Sequence, residues 1–549
     1  MKADSVSLLS FLERAPQLIV PLYQRRYSWE EEQCRQLWDD IVTAGRKNAY
    51  EHFFGTIVYV ADEASNSPLL VIDGQQRLTT VSLFLLALAK RLGKSDNPES
   101  LFRKNIYDSY LLNSSENGEK HCRLLLTDED KETFANLINN LPAPEPESPR
   151  ITENFVWFWD NLEEAGSEIL ENICNGIKKL AVVEVGLSRK EGNPQLVFES
   201  MNSKGLALTQ ADLIRNYILI GLEMGLQERL YANYWRPMEE NFRKKFSKFD
   251  NFIRHYLILK MESIPKTAEI YKAFKAYHKL QARDNDLTME YIVRDMYKFS
   301  GYYCAMIFER EQTVTLRYEF KDIADLKVDV VYPFLLQLYD DWKEGIISEE
   351  ELLKCLRLTE SYVFRRAVCN IPTHSLSKTF ASLGHEINKR RYFKSLCRIF
   401  QDMGSYRRFP NNREFKSAFM AGDLFNIRLC PYWLYKYENY GRDEPIKKQV
   451  VEHIMPREMT DSWKNALGGE WKRIHNKWLN TAGNLTLVDF SNLLGNRSFT
   501  ENRDNVFINS PLRLNEDLYQ FSEWGESEIK ERAKHMAEFA TQIWIDIDR

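Results

Sequence analysis

Five residues, Asp73-Gly74-Gln75-Gln76-Arg77, separate the apolar run Leu69 to Ile72 from a segment whose apolar residues Leu78, Val81, Phe84, Leu85 and Leu88 recur at helical spacing. A strand that ends in glycine and turns directly into a helix presents free main-chain N–H groups and the positive end of a helix dipole, which is where a phosphate settles. Arg77 adds a planar fork for phosphate oxygens. Asp73 offers a metal ligand or water-orienting carboxylate, and Gln75 and Gln76 offer uncharged hydrogen-bonding groups. These are the parts that nucleotide hydrolysis requires in one place.

A chain of 549 residues has room for two to four domains with substantial cores. Its net charge of −5 supplies no overall attraction to nucleic acid or an anionic membrane, so any such binding must use local basic patches. The eight cysteines are scattered without a Cys-x-x-Cys pair, which argues against a zinc knuckle and for reduced thiols in a cytoplasmic protein. The longest apolar stretch, Val81 to Ala89, is far below the roughly 20 residues needed to cross a bilayer, so no membrane partner is expected.

Periodicity predicts strands at Leu18 to Pro21, Phe53 to Val60, Val71 to Asp73 and Leu180 to Val185, with helices over Trp29 to Val42 and from Leu78 to a stop at Gly93. Four prolines between Pro142 and Pro149 predict an exposed loop. Thr209 followed three residues later by Asp212 resembles a capping box, and from there to about Phe400 the pattern is helical. The fold class expected is α+β with a helical majority. An αβ domain is placed at 1–225, a helical domain at 226–400 and a C-terminal domain at 401–549.

Between Lys389 and Lys416 stand nine basic residues against two acidic ones, a local net of +7 that includes Arg390, Arg391, Arg407 and Arg408. Tyr392, Phe393, Phe400, Tyr406, Phe409 and Phe415 are interleaved with them. That mixture suits either a surface that tracks a phosphate backbone and stacks bases or a solvated helix face over core aromatics. Farther on, Glu452-His453 closes a short β-rich run, followed by Gly483-Asn484-Leu485-Thr486-Leu487, Asn492, Asn496 and Phe499. A histidine beside a carboxylate provides a general base and a hard metal ligand, and a later asparagine completes a magnesium site.

Taken together, these segments resemble the GmrSD family of restriction factors. The run Glu452-His453-Ile454-x-Pro456, Gly483 to Leu487, and Asn492-x-x-x-Asn496-x-x-Phe499 looks like the HNH (ββα-metal) nuclease domain of its GmrD-type part. Val20 to Trp29, Phe54-Gly55, Asp73 to Thr80 and the Phe198 to Asn216 stretch look like the GmrS-type part, and Ser361 to Ala367 fits the helical portion. The resemblance implies an N-terminal domain of ParB/sulfiredoxin type that hydrolyses nucleoside triphosphate, and an HNH domain that cuts or nicks foreign or modified DNA in prokaryotic antiphage defence.

Carried over, Asp73, Gly74, Gln75, Gln76 and Arg77 become nucleotide-site residues, joined by Gln24, Arg25, Glu199, Asn202 and Lys204. His453 matches the general base and Glu452 and Asn492 the positions that bind a divalent metal, Mg or Mn. Asn484 matches the central asparagine that holds the hairpin loop against the helix and is counted with the catalytic group. The family often has a lysine where this chain has Asn502. That departure keeps open a second reading, a nucleotide-gated DNA-binding sensor with a weak or inactive HNH fold, beside a phosphorothioate-sensing nickase. DNA and nucleoside triphosphate are the partners expected, with homo-oligomerisation left open.

Overall fold

The computed structural model describes all residues except 1, 47–49, 62–66, 94–104, 114–115, 117, 189–207, 221, 244, 285–286, 443, 447 and 548–549. The chain is mostly helical with a mixed sheet near its start, and it divides into two compact units, Met1–Pro237 and Met238–Arg549. The helical and C-terminal segments expected at 226–400 and 401–549 fall almost entirely within the second unit.

The first unit is built on a six-stranded sheet in the order β1-β6-β3-β4-β2-β5. These strands are β1 (Lys2–Ser7), β2 (Leu18–Ile19), β3 (His52–Ala61), β4 (Leu69–Asp73), β5 (Leu124–Leu125) and β6 (Leu180–Ser188). The four strands predicted from periodicity are present but longer or shorter by two or three residues, and β5 and β1 were not anticipated. Strand β1 pairs antiparallel with β6, Ala3 opposite Val185, and has too few apolar residues to be visible in the sequence. Helices α1 (Leu8–Arg14), α2 (Glu31–Gly45) and α3 (Gln75–Leu92) pack around it.

Helix α3 begins at Gln75, three residues earlier than its apolar period suggests, because Gly74 makes the turn with φ of 96° and serves as N-cap. Almost every side chain from Leu78 to Ala89 is buried, as expected of a helix that is apolar all round. Phe84 meets Trp38 of α2 and Phe158 of the helix Pro149–Glu164 edge to face, at ring separations of 6.4 and 5.4 Å. The turn between β4 and α3 is thereby mounted on a helix buried along most of its length.

In the second unit, the helix Glu349–Val368 carries two fully buried arginines. Arg365 donates to the carbonyl oxygens of Trp544 and Pro410 and to Asn412, and Arg366 donates to those of Tyr406 and Pro372. Each satisfies several carbonyl oxygens where separate loops converge, so the two arginines serve the architecture. A two-stranded hairpin, β7 (Gln449–His453) and β8 (Leu485–Asp489), pairs Val451 with Leu487 and His453 with Leu485. A short helix, Phe499–Asn502, follows β8, and the long helix Glu526–Ile543 closes the unit. No helix among the described residues is long and apolar enough to cross a membrane.

Candidate active site

The turn between β4 and α3 is held from one side by the segment Gln24 to Trp29. Gln24 donates to the Ile72 carbonyl over 2.7 Å, Gln75 to that of Arg25 over 2.9 Å, and Gln76 to that of Arg26 over 3.2 Å. The Ser28 N–H returns a bond to Gln76 Oε1 at 2.9 Å. All three glutamines are buried, so their amides hold the Gln24 to Trp29 loop instead of standing free for a ligand. Tyr27 locks the same loop, its hydroxyl 2.7 Å from Thr80 Oγ1 and 2.9 Å from the Asn154 amide.

What this frame presents is different from the glutamine side chains. Among the described residues no side chain caps the start of α3, whose N-cap is Gly74. Arg77 donates to the Thr56 carbonyl over 3.0 Å and lies against Gly55, where an added Cβ would come within 2.7 Å of its Nε. Arg25 is drawn below its ordinary pKa by burial, with Asp212 opposing, Arg215 adding and Asp73 opposing, which places those charges in one neighbourhood. The predicted capping box is present, Thr209 Oγ1 accepting from the Asp212 N–H at 3.1 Å. Glu199, Asn202 and Lys204 lie outside the described residues.

The hairpin carries the second constellation. Glu452 and His453 end β7 and line a cavity of about 440 Å³ together with Pro456, Arg457, Glu458, Gly495 and Asn496. The structure thus brings Asn496, not Asn492, to the histidine. Asn492 sits exposed on the single turn Phe490–Asn492 after β8 and does not line the cavity, whereas Gly495 and Asn496 do.

His453 is nearly buried, and burial lowers its pKa, opposed by a hydrogen bond to Asn480 and reinforced by Arg457 and His475. It is therefore neutral near pH 7, as a base must be. Glu452 is half-buried; burial raises its pKa, and no cation or hydrogen-bond donor pairs with it among the described residues. A carboxylate so placed fits a hard divalent ion, which commonly takes only one or two protein carboxylates and completes its shell with water and phosphate. No cluster of three His, Cys, Asp or Glu groups exists among the described residues, so Glu452 would be the principal protein ligand.

Asn484 does not reach the cavity. It is fully buried, accepting from the Met455 N–H (2.7 Å) and Trp524 Nε1 (3.1 Å) and donating to the carbonyls of Met455 (3.0 Å) and Leu479 (2.9 Å). Its work is to hold the segment after β7 in place. Gly483 beside it has no room for any side chain, since a Cβ would fall 2.2 Å from the Ile529 carbonyl oxygen. Asn502 is buried too, so no phosphate contact comes from that position. Arg457, which sequence reasoning passed over, is the cation that lines the cavity.

The basic segment divides. Tyr392, Phe400, Phe409 and Phe415 are buried in the core, which removes them as base-stacking groups. Arg407 donates to Thr379 over 3.2 Å and Arg408 pairs with Glu414, so both arginines are engaged within the unit. Arg390 and Arg391 stay exposed on a single turn.

The first unit is built on a mixed sheet, and the second is mostly helical with a two-stranded hairpin. Residues 8–219 match the GmrSD restriction endonuclease N-terminal domain, and residues 409–539 match the GmrSD restriction endonuclease C-terminal domain. The chain belongs to the GmrSD-like type IV restriction family and is a restriction nuclease of defence, with DNA as its partner. No curated protein matches it.

Proposed function

We propose that the second unit is an HNH endonuclease that hydrolyses DNA with a divalent metal, and that nucleoside triphosphate turnover in the first unit gates it. The observation that carries this reading is the shared cavity. A neutral histidine, an uncompensated carboxylate, an asparagine and an arginine converge on it. In this reading His453 takes the proton of the attacking water, Arg457 neutralises a non-bridging phosphate oxygen, and Asn496 orients the strand. Glu452 would hold the divalent ion, which when bound would supply charge neutralisation at the leaving oxygen.

For the first unit, the uncapped start of α3 behind Gly74, together with Arg25, Arg77 and Asp73, supports phosphate binding. The glutamines act through the loop they hold. Foreign or modified DNA is the expected substrate.

Supercoiled plasmid incubated with magnesium or manganese, with and without each nucleoside triphosphate, tests the proposal. Wild-type protein is expected to nick or linearise it, and Glu452→Gln to require far higher metal concentrations. A Glu452→Gln variant with unchanged metal dependence removes the assigned ligand. Supercoiled substrate that persists under all conditions and with modified DNA favours the binding-only sensor.

A further inference from the structure

Asp423, Asn480 and His453 form a chain of hydrogen bonds that ends on the imidazole. Asn480 Oδ1 lies 3.2 Å from His453 Nε2, and Asn480 Nδ2 donates to Asp423 Oδ2 over 3.1 Å. Asp423 is itself fixed by the main-chain N–H of Asn426 at 2.9 Å and by its amide at 2.7 Å. The Asn480 carbonyl accepts from the N–H groups of Leu424 and Phe425, at 2.9 and 3.2 Å, so the segment that bears Asp423 is also tied to residue 480 through the main chain. The Phe425 ring packs on the imidazole with centroids 4.4 Å apart.

The two ends of an amide have the same shape, and the chemistry of its partners decides which is which. An ionised carboxylate only accepts, so Asn480 turns its NH₂ to Asp423 and its carbonyl oxygen to His453. A carbonyl oxygen also only accepts, so Nε2 must be the nitrogen that carries the proton. A neutral imidazole has one such proton, which leaves the lone pair on Nδ1. Nδ1 has no hydrogen-bond partner among the described residues, and the histidine lines the cavity. Burial works against ionisation of Asp423, yet the bonds from Asn426 and Asn480 outweigh it and hold its pKa below the ordinary value.

We propose that Asp423 and Asn480 are positioning residues that fix His453 as the Nε2–H tautomer, so that Nδ1 faces the cavity as the proton acceptor for the attacking water. Neither touches substrate. The inference rests on the reading of His453 as the general base, and it adds two residues that lie 30 and 27 positions from it in the chain. The other charged or titratable groups around the imidazole are Arg457 and His475, with Glu452 its neighbour along β7, and none of them hydrogen-bonds to it.

The test uses the full chain labelled with ¹⁵N-histidine. Long-range ¹H–¹⁵N correlation separates protonated from unprotonated ring nitrogens, and the His453 signals are assigned by their loss in His453→Gln. The wild type is expected to show a protonated Nε2 and a bare Nδ1. In Asp423→Asn the new amide can donate as well as accept, so Asn480 is free to invert; a population with protonated Nδ1 should appear. The kcat for plasmid cleavage should fall at least about ten-fold, by the wrong-tautomer effect, with KM for DNA little changed. Asn480→Ala should also lose the tautomer preference.

A wild-type spectrum with protonated Nδ1 overturns the proposal whatever the variants do, and so does an Asp423→Asn variant with unchanged tautomer and kcat. Failure of the underlying reading looks different. In that case His453→Ala still cuts DNA, while the spectra report the hydrogen-bond chain independently of cleavage.

Discussion

Replacing Asn484 with alanine should loosen the hairpin that carries the cavity. The variant strands four groups inside the protein: the N–H and carbonyl of Met455, the carbonyl of Leu479 and Nε1 of Trp524. A buried hydrogen bond contributes roughly 0.5–1.5 kcal/mol net, so the four together are worth about 2–6 kcal/mol, before any cavity cost. Global unfolding of a two-unit chain is not a two-state event, and a local probe is required. Native-state hydrogen exchange of the amides paired between β7 and β8 supplies one. At about 1.4 kcal/mol per factor of ten, exchange there should quicken by at least about 30-fold in Asn484→Ala, with the first unit unaffected. Asn484→Asp keeps the acceptor bonds but sets a buried carboxylate oxygen against the carbonyl oxygens of Met455 and Leu479, so it should quicken exchange at least as much as alanine. An alanine variant that shifts exchange by less than about five-fold would refute the clamp.

Two further outcomes follow from groups elsewhere. His255 is fully buried with both ring nitrogens unpartnered, and burial pushes its pKa down to about 3, with Arg254 and Lys248 adding. The unfolded chain therefore takes up a proton below about pH 6.5 that the folded unit refuses, so stability falls as pH drops from there towards 3, by about 1.4 kcal/mol per unit. Native-state hydrogen exchange of the amides in the helix Ser247–Met261, corrected for intrinsic exchange at each pH, should show that extra slope in the wild type and His255→Phe should lack it; equal slopes would refute the reasoning. Gly55 has φ of +134° and abuts Arg77, so Gly55→Ala should cost about 1–3 kcal/mol in backbone strain and displace the guanidinium. Hydrogen exchange of the amides paired between β3 and β6 should quicken while nucleotide hydrolysis drops, and unchanged exchange would contradict the assigned conformation.

The sequence carries the local chemistry of the fold well. Gly74 between an apolar strand and an apolar helix, the Thr209 and Asp212 cap, and Glu452-His453 at a strand end are short-range patterns, each set by neighbours within a few residues. What it conceals is set by partners far along the chain. Gln75 and Gln76 read as ligand groups because nothing in the motif reveals that the main chain of Arg25, Arg26 and Ser28 occupies their amides. The aromatics between Tyr392 and Phe415 read equally well as a stacking surface or a core, and packing puts Tyr392, Phe400, Phe409 and Phe415 in the core while Tyr406 stays exposed. Asn492 and Asn496 are indistinguishable by type, and only the folded chain shows that the latter lines the cavity. Strand β1, built from Lys2 to Ser7, acquires its structure from pairing with β6 and not from its own composition.

The claim on which the account turns is that the two units hold separate reactions, and a crossed pair of variants tests it most directly. Plasmid cleavage and nucleoside triphosphate hydrolysis would be measured on the same preparations of wild type, His453→Ala and Arg77→Ala. His453→Ala is predicted to abolish cleavage and retain nucleotide hydrolysis, while Arg77→Ala loses hydrolysis and, with it, nucleotide control of cutting. A His453→Ala protein that cuts DNA at the wild-type rate would contradict the account.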